Sequence, residues 1–365
     1  MKKKILAGAI ASALAITLAG CSSSSSNNEQ TVTGQAIDGF LVNMNCTADD
    51  LTATAPTNIT GTFTITGNFA QDKTIECSSG PDSYDTATGS EVPFIGVLTA
   101  PKNSKFVTPV TTLVVALLGD GADLAASEAQ VRTLLGLDED FDLYQSPYTS
   151  AKMFEATQAI HNILNIVTQA LTLNNSGLNG NDTYKAAMAA LAETLKNRDS
   201  VNLLNPASVK SIIGEVASKA ATNLNTTPPN QDLLSKIENE SEKVIGAINQ
   251  KATQLADALA GLPEGADPTS LFDDNQKSLF DETVKDAIDA LKPETPVDPV
   301  DPVDPVDPVD PVDPVDPVDP VDPVDPVDPV DPVDPVDPVN PADPVDPGTG
   351  TGTGTGTGAV VGAAP

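Results

Sequence analysis

The chain has no tryptophan, one histidine and three cysteines among 365 residues, and aromatic side chains make up 4% of it. Each scarcity excludes something. A carbohydrate-stacking platform needs several exposed aromatic rings, and the chain has few to offer. A zinc centre needs several His or Cys ligands; once the cysteines are engaged as argued below, His161 stands alone. No Gly-x-Ser-x-Gly nucleophile turn and no Gly-rich phosphate loop occur. Cations are scarce as well: 19 Lys and Arg stand against 51 Asp and Glu, a formal net charge of −32. Such a surface repels phosphate backbones and anionic headgroups, which argues against nucleic acid and against charge-driven membrane binding. Long apolar runs are also missing. The one exception, residues 5–19, falls short of the roughly 20 residues that a spanning helix needs. No catalytic residue, metal or cofactor is assigned on this reading.

What stands around that apolar run is informative. Lys2, Lys3 and Lys4 precede it, and Leu18-Ala19-Gly20-Cys21 closes it with small residues and one thiol. The pattern reads as a secretory signal peptide over 1–20. It resembles the bacterial lipoprotein signal with its lipobox. The resemblance implies cleavage before Cys21, lipid on the Cys21 thiol, and a mature chain held to a membrane by its first residue. Several acyl chains satisfy the two-signal requirement for stable anchoring. Ser22 occupies the position where, in enteric-type sorting, Asp retains a lipoprotein at the inner membrane; serine implies the outer membrane. The Ser/Asn-rich stretch 21–30 is then a flexible tether.

With Cys21 lipidated, Cys46 and Cys77 remain. In an exported chain two leftover cysteines read as one disulfide, the alternative being two buried thiols. Closing a loop of about 32 residues would stabilise the fold by roughly 3–4 kcal/mol.

Residues 31–107 carry strand signals. Thr31-Val32-Thr33 alternates, Phe40-Leu41-Val42 is apolar, Thr62-Phe63-Thr64-Ile65-Thr66 places Phe63 and Ile65 on one face, and 94–98 gives a further strand. Turn clusters such as Ser79-Gly80-Pro81-Asp82 separate them. The expectation is a small β-sandwich, marginal without a staple.

The period changes at Thr108-Pro109, a cap followed by proline at the first helical position. Helices are expected from 109, from Ser127 with Val131, Leu134 and Leu135 inward, and over 150–173. In the last of these Met153, Ala156, Ile160, Ile163, Val167 and Leu171 keep spacings of three and four. Asp182 is expected to cap a helix reaching 197. Pro206 starts another, and 231–260 is the longest, with Leu234, Ile237, Val244, Ile248 and Leu255 near heptad spacing and Ser241 interrupting. A final helix fits 276–291. The fold class is α+β: strands, then a helical bundle over 108–292, whose short heptad run suits an intramolecular stripe.

Three segments occur in order: Gly34-Gln35-Ala36-Ile37-Asp38-Gly39, Val107-Thr108-Pro109-Val110-Thr111-Thr112-Leu113-Val114, and Leu135-Gly136-Leu137 with Asp142-Leu143. Together they resemble a module of secreted and surface proteins of Gram-negative bacteria. In that module a transthyretin- or carboxypeptidase-regulatory-like sandwich precedes a helical region. The resemblance covers about 32–171. It supplies no catalytic residue, and the acidic calcium segment that many copies carry has no clean counterpart here.

In the tail 293–347 the triplet Pro-Val-Asp repeats from Pro296 to Pro347, interrupted at Asn340 and Ala342. Proline at every third position removes donors and fixes φ, leaving polyproline II with one aspartate per turn. Sixteen of the 51 acidic residues lie between Pro296 and Pro347. One carboxylate per ~9 Å cannot cage calcium, which takes six to eight oxygens. The Gly/Thr tail 348–365 follows as flexible coil.

Candidate chemistry elsewhere is thin. His161 lies among Thr157, Asn162, Asn165 and Thr168, off the apolar stripe, and reads as part of a solvated helix face. Residues 175–182 have the flavour of a calcium loop, but Ala186 stands where the closing Glu belongs, so a capped loop is expected. Asp138, Glu139, Asp140 and Asp142 read as a solvated link.

The function expected is that of a non-enzymatic outer-membrane lipoprotein, an adhesion, binding or structural module with an acidic bristle. Its partners would be the membrane, through the lipid, and an envelope or extracellular protein. The alternative is a periplasmic assembly or spacer factor whose tail bridges to peptidoglycan or a partner protein.

Overall fold

Alternating apolar residues produce short strands, and these come first in the computed structural model of the chain. It describes residues 30–67, 74–101, 104–118, 123–196, 198 and 201–293. The leader, Cys21, the tether up to residue 29 and the Pro-Val-Asp tail lie outside those residues.

Strand β1 (Gln30–Ala36) takes in the last residue assigned to the tether. It pairs antiparallel with β5 (Thr62–Gly67) and parallel with β9 (Phe106–Val107). The short strands β2 (Leu41–Val42) and β7 (Tyr84–Asp85) form a second pair. A third sheet runs β4-β3-β6-β8, made of β3 (Asn45–Ala48), β4 (Leu51–Thr52), β6 (Thr74–Ser78) and β8 (Val97–Pro101). Strand β8, expected over 94–98, therefore begins at Val97 rather than at Phe94.

Period-two alternation sorts the two faces. Phe63 and Ile65 are buried as expected. The threonines between them face outward, with Thr31 and Thr66 hydroxyls 3.3 Å apart and those of Thr33 and Thr64 3.4 Å apart across the ladder. Cys46, Ala48, Ile75, Cys77, Leu98 and Ala100 point inward.

Thr108 begins the helical part as its sequence suggests. Its hydroxyl accepts from the Thr111 N–H at 3.1 Å, and the Thr111 hydroxyl accepts from the Thr108 N–H at 2.9 Å, a reciprocal cap on α1 (Pro109–Leu118). The Thr111 hydroxyl also donates to the Thr99 carbonyl at 2.8 Å, and the Thr112 hydroxyl accepts from the Thr99 N–H at 2.9 Å. This ties the helix to β8 and accounts for the run of threonines.

Helix α2 (Leu124–Leu134) starts three residues before the expected Ser127, because Asp123 supplies the cap. Ser150 caps α3 (Ala151–Asn174). Helix α4 (Gly180–Leu195) is capped by Asn179, not Asp182: the Asn179 carboxamide oxygen accepts from the N–H groups of Asn181 and Asp182. Then come α5 (Pro206–Asn223) and α6 (Gln231–Ala260), the latter with the expected bounds and with Ser241 fully buried in its stripe. The last helix starts earlier than expected. Helix α7 (Thr269–Leu279) passes through a π-helical turn (Phe280–Val284) into α8 (Lys285–Ala290). Its first turns bury only Phe272 and Gln276 before Leu279, too sparse a pattern to read as periodic.

Strands and helices belong to one compact unit. A single hydrophobic cluster extends from Ala36 and Phe63 through Leu113, Ile160 and Ile213 to Leu291. The change near residue 107 is thus a change of secondary structure inside a shared core. About seventy residues of short strands bury too little apolar surface to stand without such a neighbour.

Candidate functional site

The polar residues with the most unusual surroundings meet where the strands abut α3 and α7. After β1, Ile37 bridges to Phe40 and forces a tight turn whose tip is Asp38-Gly39. Asp38 is 2% exposed there and Asp85, on β7, is 3% exposed.

Helix α3 supplies partners for the first carboxylate. Gln158 and His161 are three residues apart and so share a helix face. The Gln158 Nε2 donates to Asp38 Oδ1 at 3.0 Å, and His161 Nδ1 lies 3.1 Å from Asp38 Oδ2. Asn162 Nδ2 donates back to the Gln158 carbonyl at 2.9 Å and to its Oε1 at 3.3 Å, fixing the amide. Asp85 is better served. Its Oδ2 accepts from the Gly39 N–H at 2.8 Å and from Gln276 Nε2 of α7 at 2.7 Å, and its Oδ1 accepts from the Ala87 N–H at 2.8 Å. A Cβ at position 39 would sit 2.0 Å from Asp85 Oδ1, so glycine is the residue that allows this approach.

A cavity of about 50 Å³ opens beside these groups, enough for one or two water molecules. Asp38, Asp85, His161, Gln276 and Phe94 line it together with the π-turn residues Phe280 and Val284. Phe94 stacks on the His161 ring with centroids 5.5 Å apart. Nearby, Tyr148 stacks on Phe40 at 4.8 Å and donates its hydroxyl to Asp273 Oδ1.

Burial governs the acid–base state of the cluster. It raises Asp38 well above the usual carboxylate range, and the Asp85 charge adds to the rise. It lifts Asp85 to about 6, against the pull of the Ala87, Gly39 and Gln276 donors. It draws His161 down to about 4. The Tyr148 hydroxyl is pushed up by burial and then by Asp273, and Tyr184 by burial and then by Asp38. Every shift favours the neutral form.

His161 was expected on a solvated face; its side chain is instead 14% exposed and held in the cavity wall. The reason lies on α3 itself. Phe154, Leu164 and Ile166 are buried on the sides away from the expected stripe, so that helix has little face left for solvent. Asp38 was visible only as a letter in a motif, and Asp85, Gln158 and Gln276 gave no signal beyond an acid or amide near apolar neighbours.

The other expected positions resolve simply. Cys46 and Cys77 face each other across the β3–β6 ladder, Cα atoms 4.0 Å apart, and form a disulfide buried in the core. Asp142 accepts from the Tyr144 N–H in the acidic link. Residues 175–182 end in the Asn179 cap. Cys21 lies outside the described residues. Among the described residues no group of three or more His, Cys, Asp or Glu is placed to hold a metal ion, and no helix is long and apolar enough to cross a membrane.

No protein-family model, no curated protein and no solved structure matches the chain.

Proposed function

We propose that this chain is an exported, lipid-anchored protein of the bacterial cell envelope, held at the outer membrane through Cys21 and acting as a non-enzymatic binding or structural module. The observation that carries the reading is the cationic, apolar and small-residue leader ending in Leu18-Ala19-Gly20-Cys21. The Cys46–Cys77 disulfide supports it, since such bonds persist in oxidising compartments.

The non-enzymatic part rests on the candidate site. Asp85 spends its lone pairs on two backbone N–H groups and an amide, and Gln158 is locked to Asp38 and Asn162. Groups arranged in this way hold elements together. On this reading the strands form a small sandwich of the transthyretin kind. Two sheets, β5-β1-β9 and β4-β3-β6-β8, turn their apolar faces into one cluster in support of it. The Pro-Val-Asp tail, which lies outside the described residues, would serve on this reading as an acidic bristle offered to an envelope or extracellular protein.

Metabolic labelling with a palmitate analogue tests the anchor. Label and membrane fractionation are expected for the native chain and both are lost in Cys21→Ser. An unlabelled native chain in the soluble fraction refutes the proposal.

A further inference from the structure

The two buried carboxylates and the imidazole are not equivalent, and their geometry separates them. Asp85 meets three N–H donors, as an anion requires. Asp38 meets one amide donor, from Gln158. His161 Nδ1 finds no acceptor along its ring N–H direction, yet Asp38 Oδ2 lies beside it at 3.1 Å. At 3.1 Å the two atoms cannot both present lone pairs, so one proton lies between them. With a single amide donor and Asp85 alongside, Asp38 is poorly served as an anion and keeps that proton as a carboxyl O–H facing Nδ1. We propose that Asp38 and His161 hold one proton between them, placed on the Asp38 carboxyl, and that this proton keeps the seam between the strands and helices α3 and α7 closed, so that its loss at alkaline pH loosens the seam.

The surroundings give the device its direction. The titratable groups around Asp38 are Asp85 on β7, His161 on α3, Tyr184 on α4 and Tyr148 before α3, and Asp273 on α7 acts on Asp85 and Tyr148. Among the described residues no lysine or arginine lines the cavity. Removing the Asp38 proton therefore places a second anion beside Asp85 with no cation to offset it, in a space that admits one or two waters. The like charges act on the turn at Asp38-Gly39 and on β7, and α7 holds β7 through Gln276. Burial acts in the same sense, raising Asp38 and lowering His161.

The single histidine makes the test direct. In the full chain labelled with 15N-histidine, one pair of imidazole signals reports His161. At pH 7 a neutral ring with Nδ1 unprotonated is expected, remaining neutral on acidification to about pH 5. A ring that is protonated at pH 7, or a neutral ring carrying its proton on Nδ1, overturns the proposal. A second arm follows the thermal midpoint from pH 6 to pH 10. The native chain is expected to lose more of its midpoint than Asp38→Asn, whose side chain stays uncharged and still donates to Nδ1. Equal losses overturn the proposal. Should Asp38→Asn fail to fold, the infrared band of a protonated carboxyl gives the same answer in the native chain. It is expected at neutral pH and lost on alkalinisation together with the loosening; its absence at pH 7 overturns the proposal.

Discussion

Replacing Gly39 by alanine probes the tightest approach in the candidate site. The new Cβ would lie 2.0 Å from Asp85 Oδ1, so either the turn or β7 must move. Movement breaks the 2.8 Å bond from the Gly39 N–H to Asp85 Oδ2. A hydrogen bond to a charged group contributes about 1.5–3 kcal/mol, and overpacking adds about 1–3 kcal/mol. The expected loss is therefore roughly 3–5 kcal/mol, read as a fall in thermal midpoint on the order of 10 °C for a body of this size. Destabilisation alone has many causes, so the informative quantity is the coupling. In an Asp85→Ala background the carboxylate is gone, and Gly39→Ala should then cost no more than about 1 kcal/mol. Circular dichroism melts of the four proteins give the cycle, with an interaction of about 2 kcal/mol or more expected between residues in contact. If the two substitutions add to within about 0.5 kcal/mol, the contact does not set the packing and the reasoning fails.

Other expectations follow from the same structure. Removing the disulfide with Cys46→Ala and Cys77→Ala, which are 31 residues apart, should lower stability in urea by about 3–4 kcal/mol; reductant should do the same to the native chain, and an unchanged midpoint would contradict it. Asp85, raised from 3.8 to about 6, contributes stability that is full below pH 4 and is lost as pH rises through 6. His161, lowered from 6.5 to about 4, contributes stability that is full above pH 6.5 and is lost as pH falls through 4. Asp38, raised further, adds a second loss with rising pH over the same range. Between pH 4 and 6 the imidazole therefore offsets one carboxylate, and denaturation midpoints of the native chain should still fall as pH rises. His161→Phe removes the opposing imidazole, and stability should then fall from pH 4 to pH 6 about twice as steeply as in the native chain; equal slopes would refute the assignment. Thr108→Ala should cost about 1 kcal/mol through the lost cap of α1, measurable in the same urea titration.

Much of the architecture was legible because it follows from local patterns. Thr108-Pro109, Ser150 and Pro206 announce helix starts by chemistry that acts within three residues. The stripe Ile237, Val244, Ile248 and Leu255 announces α6 by period alone. Two of the helix misplacements share one cause, competition between adjacent caps: Asp123 pre-empts Ser127, and Asn179 pre-empts Asp182. The site was illegible for a different reason. Its members come from positions 38, 85, 158–162 and 276, and no periodicity links residues so far apart. His161 looked solvated because its sequence neighbours on that face are polar, yet Gln158 and Asn162 are polar in order to serve Asp38 rather than water. A buried polar network and a wet helix face are written with the same letters. What separates them is whether the rest of the helix is apolar enough to be buried on the other sides as well.

Why a fold should carry this network is a question of specificity against stability. Burying two carboxylates is costly, and apolar replacements of buried polar groups are often neutral or stabilising. The core already runs unbroken from Ala36 to Leu291, so collapse of strands onto helices does not need Asp38 or Asp85. Hydrophobic contact, however, is non-directional and leaves neighbouring placements close in energy. The network removes that latitude. Gln158 donates to one carboxyl group and Gln276 to the other, and Gly39 admits Asp85 by having no side chain. A slip of the strand layer along α3 would leave several buried polar atoms unpaired at once, each costing about 1–3 kcal/mol. The cluster therefore sets where the strands sit on the helices, and the core supplies the force that holds them there.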